Sequence, residues 1–197
     1  MGVIRKFQEN NCLIAIWDIH ESLEELLLLG QEFDSSGFFS SKRKKEFLVS
    51  RLLLNEIHLG QNITYNRYGA PEISNGNNIS ISHSRNLVAL ISSEQRVGID
   101  IQEISNQPLR LSSKFISEED HHNLSEEKAT LIWCCKEAIF KWHQEGSVDF
   151  KYDIVLSPFS LESAGKITAI FKDKEYRLYY KKINTHFLVY LSANICS

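Results

Sequence analysis

The chain has 197 residues, 43% of them hydrophobic and 24% charged, which is the composition of a globular protein long enough for one large domain or two small ones. A formal charge of -3 excludes a generally basic nucleic-acid coat and leaves room only for a local basic patch. No run of ~18 apolar residues is present, so no membrane span is expected, and the opening MGVIRKFQEN lacks the apolar centre of a signal peptide. The expected setting is cytoplasmic.

In chain order, residues 11–19 (NCLIAIWDI) read as a strand. Residues 22–29 (SLEELLLL) read as a short helix with a capping box from Ser22 to Glu25. The segment from Ser40 to His58 reads as a helix with a basic entry, KRKKEF, followed by Leu52, Leu53 and Leu54. YGAP (68–71) and SNGNN (74–78) are turn punctuation. Strands are expected at ISISHS (79–84), LVALIS (87–92) and VGIDIQEI (97–104). SEED (117–120) and SEEK (125–128) read as helix starts with serine caps and first-turn acids. The second of these helices runs to about His143. From residue 166 onward, three strands are expected, with turns near KDKE and INTH. Strand, helices, strands therefore occur twice, and the chain divides near Arg96. The expected fold is α+β, with similar-sized subdomains at residues 1–96 and 97–197.

There are four cysteines: Cys12, Cys134, Cys135 and Cys196. None forms a Cys-x-x-Cys pair, and neighbouring helical residues point about 100° apart, so Cys134 and Cys135 read as buried packing rather than as a metal or redox site. On a helical wheel, Leu131, Cys135, Ala138, Ile139 and Trp142 form a core stripe. Glu137 lies nearly opposite, with Lys141 one turn on and Trp133 and Phe140 beside it. This fits either a solvated i,i+4 ion pair or a carboxylate working in a cleft.

In VGIDIQEI, Val97, Ile99 and Ile101 point one way, and Gly98, Asp100 and Gln102 the other. An acid inside an apolar strand is costly unless it is paired or metal-bound. Asp100 and Glu137 would make half of a magnesium site; a strand-end aspartate capping a loop is the alternative. In ISISHSRN, Ser82, His83 and Arg85 suit phosphate oxygens, yet a lone strand histidine is commonly structural. No Walker loop or Gly-x-Gly-x-x-Gly is present. A serine–histidine hydrolase is disfavoured, because adjacent strand residues face opposite ways.

Taken in order, these pieces resemble the 4'-phosphopantetheinyl transferases of the larger, surfactin-synthetase-activating type. That family carries Ser-His on a strand, then Gly-Ile/Val-Asp-x-Glu, then Trp-x-x-Lys-Glu-Ala/Ser-x-x-Lys on a helix. Here these read Ser82-His83, Gly98 to Gln102, and Trp133 to Lys141. KRKKEFLVSR, RYGAP and FISEED are similar to further family segments, so the resemblance spans residues ~40 to 145. It implies two α+β subdomains related by a pseudo-twofold. It also implies an enzyme that moves the phosphopantetheine arm of coenzyme A to a serine of an acyl or peptidyl carrier protein, releasing 3',5'-ADP.

By the same resemblance, Asp100 and Glu137 hold magnesium, with Gln102 at the position of a third ligand. Glu137 takes the serine proton, directly or through a metal-bound water. Lys141 reaches a phosphate oxygen, His83 bonds the pyrophosphate next to Ser82, and the backbone of Ala70 lies near adenine. Arg51, with Lys44 as a further candidate, meets the ribose 3'-phosphate. The carrier would serve fatty-acid synthesis or a siderophore or polyketide assembly line. Two subdomains in one chain suggest a monomer.

The chain departs from the family pattern in two places. Gln102 replaces an acid, which predicts weaker magnesium binding, and Glu103 on the other face is a poor substitute. Ala70 replaces a lysine, with Arg67 close enough to stand in for it. These departures keep open a non-catalytic module that binds coenzyme A or a carrier protein. A metal-dependent phosphohydrolase acting on small nucleotides is a third reading.

Overall fold

The structure, a computed structural model, describes residues 3–117 and 124–193. Its strands are β1 (Val3–Glu9), β2 (Cys12–Asp18), β3 (Thr64–Tyr65), β4 (Pro71–Glu72), β5 (Asn78–Ser84), β6 (Leu87–Ser93), β7 (Val97–Glu103), β8 (Ile154–Leu156), β9 (Ala164–Phe171), β10 (Lys174–Ile183) and β11 (His186–Ser192). The helices are α1 (Leu23–Leu29), α2 (Ser41–Ile57), α3 (Asn106–Arg110) and α4 (Glu126–His143), with a 3-10 turn at Ser112–Lys114. The SEED helix start falls mostly on residues 118–120, outside the described residues.

Local chemistry sets these boundaries. Ser22 and Glu25 form the expected capping box on α1. Ser125 caps α4 by accepting from Lys128 N, with Glu126 and Glu127 in the first turn. Asn10 and Asn11 take φ of 50° and 60°, and Lys172 and Asp173 take 51° and 60°. These are the left-handed pairs of tight hairpin turns, and they close β1–β2 and β9–β10. Strand β1 was not expected from the sequence: Arg5, Lys6, Gln8 and Glu9 are exposed along a sheet edge, so the strand lacks a strong apolar pattern. The short elements β3, β4, β8 and α3 were likewise unread.

The strands form two antiparallel sheets, ordered β1-β2-β6-β5-β4-β3 and β7-β11-β10-β9-β8. The order repeats: in each, the first long core strand lies beside the last, which lies beside the one before it (β2-β6-β5, then β7-β11-β10). Alternation along the strands separates three apolar layers. Ile14, Ile16, Ala89 and Ile91 meet Val97, Ile99, Ile101 and Leu188 between the sheets. Ala15, Trp17, Val88 and Leu90 pack outward under α2, against Leu48, Leu53 and Leu54. The second sheet's outer face takes α4 through Leu131, Cys135, Ala138, Ile139 and Trp142, the stripe read from the sequence.

Two features fix β7. It sits at the edge of its sheet, with β11 on one side. On the other side, three serines of β5 replace a strand neighbour. Ser80, Ser82 and Ser84 hydroxyls accept from the backbone N–H of Ile99, Ile101 and Glu103 at 3.2, 3.1 and 2.9 Å. The second feature is Gly98. A Cβ built there would lie 2.0 Å from the Ala138 carbonyl oxygen and 2.8 Å from Trp142 N, so α4 rests directly on the strand backbone. Among the described residues, no helix is long and apolar enough to cross a membrane.

The Gly98 contact yields a test. Gly98→Ala should lose about 3 kcal/mol or more of stability, because the obstacle is helix backbone rather than a movable side chain. Urea unfolding checks this, and a loss below about 1 kcal/mol would contradict the close approach.

Candidate active site

The chemistry-bearing residues meet where β5, β7 and α4 converge. Asp100 lies on the even-numbered face of β7 that Gly98 brings against α4, and only 6% of its side chain is exposed. Its Oδ1 accepts from Ser82 Oγ and from Lys141 Nζ, each at 2.7 Å. Its Oδ2 is buried and, among the described residues, has no hydrogen-bond partner. Glu137 is one turn before Lys141 on α4. Burial, then the charge of Asp100, pushes its carboxyl up to about 7, with Lys141 opposing. Trp133 and Phe140, about one turn to either side of Glu137 on α4, belong to an aromatic group: Trp133 packs 5.0 Å from Phe115 and 5.5 Å from Phe150, and Phe140 lies 5.6 Å from Phe150. The solvated ion-pair alternative for Glu137 and Lys141 therefore does not describe them; Lys141 pairs with Asp100.

The cysteines are packing. Cys134 and Cys135 are fully buried. Burial, with the nearby Asp100 charge, holds the Cys134 thiol well above its ordinary value, and burial does the same to Cys135. Between them and Glu137 stands Lys136, which is 4% exposed. Its ammonium donates to the carbonyl oxygens of Phe150 and Ile154, tying the segment after α4 to the helix. Sequence reasoning grouped this lysine with Glu137 and Lys141 as the site face of the helix; its ammonium is instead taken up by these two carbonyls.

A pocket of about 240 Å³ adjoins the cluster, lined by Arg43, Glu46, Phe47, Arg51, Tyr65 and His83 among others. A second, of about 230 Å³, is lined by Tyr68, Ala70, Phe140 and Lys141. The two adjoin at Gly69, Pro71 and Ile81, which line both, and Lys141 lines the second. Arg51 lies 3.4 Å over the Phe47 ring, and burial lowers its pKa from the ordinary guanidinium value. Ala70 donates its N–H to Asn66 Oδ1 at 3.0 Å within the β3–β4 turn. Arg67 is exposed and stacks on Tyr68, 4.6 Å away.

Strand parity separates Ser82 from His83. Ser82 is 4% exposed and fully engaged with Asp100 and Ile101, on the face turned toward β7. His83 faces the pocket. Its imidazole is lowered first by burial and further by Arg43 and Lys141, while Glu46 raises it. Gln102 is half-buried on the same face of β7 as Asp100, and Glu103, on the other face, pairs with Arg85 at 2.5 Å. Of the basic run, Arg43 lines the pocket; Lys44, the expected candidate, does not. Arg43, Glu46, Phe47 and Tyr65 were missed by sequence reasoning.

Among the described residues, no three His, Cys, Asp or Glu side chains gather as a metal cage. Magnesium is commonly held by only one or two carboxylates plus substrate phosphates. Asp100 with its unpartnered Oδ2, and Glu137 beside it, fit that donor set.

Residues 96–190 match the family model of the 4'-phosphopantetheinyl transferase superfamily. The match begins just before β7 and takes in Asp100, Gln102, Glu137 and Lys141. The two-sheet α+β architecture is consistent with the fold of that superfamily. Among curated proteins, none matches the chain.

The raised Glu137 carboxyl has a thermodynamic consequence. Its ordinary value is 4.5 and its folded value about 7, so the stability it contributes is complete below about 4.5 and is lost as pH rises through about 7. In metal-free protein, Glu137→Gln should flatten the fall in melting temperature between about pH 5 and pH 8; an unchanged slope would refute the buried setting. Separately, the native thiols of Cys134 and Cys135 should resist an aromatic disulfide reagent until the protein unfolds. Rapid labelling of either in folded protein would overturn the packing assignment.

Proposed function

We propose that this protein transfers the 4'-phosphopantetheine arm of coenzyme A to a serine hydroxyl of an acyl or peptidyl carrier protein. The observation that carries this reading is the Asp100–Lys141 pair with Glu137 beside it, inside the segment that matches the transferase superfamily. In the reaction, the carrier serine oxygen bonds to the β-phosphorus of coenzyme A. The bond from that phosphorus to the bridging oxygen breaks, and 3',5'-ADP leaves with the bridging oxygen.

Each chain residue has a task that its surroundings support. Glu137, with its carboxyl near 7, takes the serine proton at neutral pH. Lys141, held at 2.7 Å by Asp100, is positioned to stabilise charge on a phosphate oxygen. His83 and Arg51 line the adjoining groove and supply donors for the coenzyme's phosphates. Asp100 and Glu137, with the Gln102 amide nearby, would hold a magnesium-class cation, which when bound offsets the negative charge of the pyrophosphate. Gln102 adds no charge, so cation binding is weaker than with a carboxylate there. We read residues 1–96 and 97–197 as two subdomains of the larger transferase type, working as a cytoplasmic monomer.

The test is intact-mass spectrometry of an apo carrier protein incubated with this protein, coenzyme A and magnesium. The expected result is a gain of about 340 Da that requires the cation. Glu137→Ala should slow the transfer about 100-fold or more while the far-ultraviolet spectrum stays native. No gain across several fatty-acid and peptide carrier proteins, from folded protein, would favour a module that binds coenzyme A without transferring its arm.

A further inference from the structure

The groove contains one acid whose burial needs a reason. Glu46 is on α2 with 6% of its side chain exposed, facing three cationic or titratable groups. Its Oε1 lies 3.8 Å from Lys42 Nζ and 3.4 Å from His83 Nδ1, and its Oε2 lies 3.2 Å from Arg43 Nη1. A carboxylate in an anion-binding groove repels the ligand, so a buried one there opposes binding unless it acts through something else.

The His83 ring shows what it acts through. Arg43 Nη1 lies 3.3 Å from His83 Nε2. A guanidinium has donors and no acceptor, so Nε2 must accept. The neutral ring therefore carries its proton on Nδ1, the nitrogen that faces Glu46. In this resting arrangement the Nε2 lone pair is taken by Arg43, and were Arg43 to leave, that lone pair would repel a phosphate oxygen.

We infer that Glu46 is a positioning residue for phosphate binding: it holds the Nδ1–H form of His83 and supplies the negative charge that lets Nε2 take up a proton when a phosphate draws Arg43 away. The inference rests on the transferase reading of the groove and adds to it a proton taken up on coenzyme binding. The doubly protonated ring then donates both ways, to Glu46 from Nδ1 and to the phosphate from Nε2. The charged groups facing this ring are Glu46 and Arg43 from α2 and Lys141 from α4, with Arg51 in the same pocket. The two that disfavour the extra proton, Arg43 and Lys141, are the ones an arriving phosphate would neutralise; the one that favours it, Glu46, is held in place by burial.

The test is calorimetry of coenzyme A binding at pH 7, with metal chelated, in two buffers of different ionisation enthalpy. Wild-type protein should take up a substantial fraction of a proton. Glu46→Gln, which keeps the shape and removes the charge, should take up less than half as much and bind about tenfold more weakly. Uptake at Glu137 is common to both proteins and cancels in the difference. Equal uptake by the two proteins overturns the inference. The imidazole nitrogen spectrum of unliganded wild-type protein is a second readout that needs no variant. A proton on Nδ1 of His83 supports the inference, and a proton on Nε2 overturns it. Because that spectrum needs no coenzyme, it also separates the two ideas: wild-type protein that binds no coenzyme A even with magnesium restored refutes the transferase reading even where the ring carries its proton on Nδ1.

Discussion

A strand at the edge of one sheet, buried against another, has backbone N–H groups that face no carbonyl ladder. Strand β7 is in that position, and Ser80, Ser82 and Ser84 resolve it with hydroxyl oxygens spaced two residues apart. Each such N–H left without an acceptor would cost about 1–3 kcal/mol, so the joint between the sheets depends on polar pairing as well as on the apolar layer behind it. With β7 held in that register, its other face carries Gly98 and Asp100 against α4, and the missing side chain at Gly98 lets the helix descend onto the strand. Lys141 reaches Asp100 because of that descent.

The electrostatics follow from the same packing. Asp100, Glu137 and Glu46 are all withdrawn from water, which is unfavourable for a charge standing alone. Asp100 is balanced by Lys141, and Glu46 by Lys42, Arg43 and His83. Among the described residues, Glu137 has no such close partner, and it holds its proton to a higher pH. A site that includes one poorly compensated acid next to a compensated one is suited to move a proton. The thiols, buried and kept protonated, fill space around it.

Much of this was legible in the sequence because core elements write strong patterns. VGIDIQEI, ISISHS and the α4 stripe alternate or repeat with the period of the element they form, and each fell on the expected face. The edge strand β1 did not, since its exposed residues are polar and only the Asn10-Asn11 turn marks it. The basic run of α2 was ambiguous for a geometric reason. Four consecutive helical residues point in four directions about 100° apart, so composition cannot say which one faces the pocket. The rotation of α2, set by burial of Leu48, Leu53 and Leu54, selects Arg43. Lys136 was unreadable for a related reason: its carbonyl partners lie in a segment that returns to the helix only in three dimensions.

Strand β5 does two jobs with alternate residues. Even positions tie the sheets together; odd ones, Ile79, Ile81 and His83, face α2 and the groove. The two sets interleave along one backbone, so their spacing cannot be tuned separately. Loss or gain of one residue within β5 would send every following side chain to the opposite face. Past that point serines would be turned toward the groove and apolar side chains toward the edge of β7. Length variation in this part of the chain must therefore be taken up by the turns on either side, at residues 74–77 and 85–86, where a changed loop leaves the parity of the strand intact.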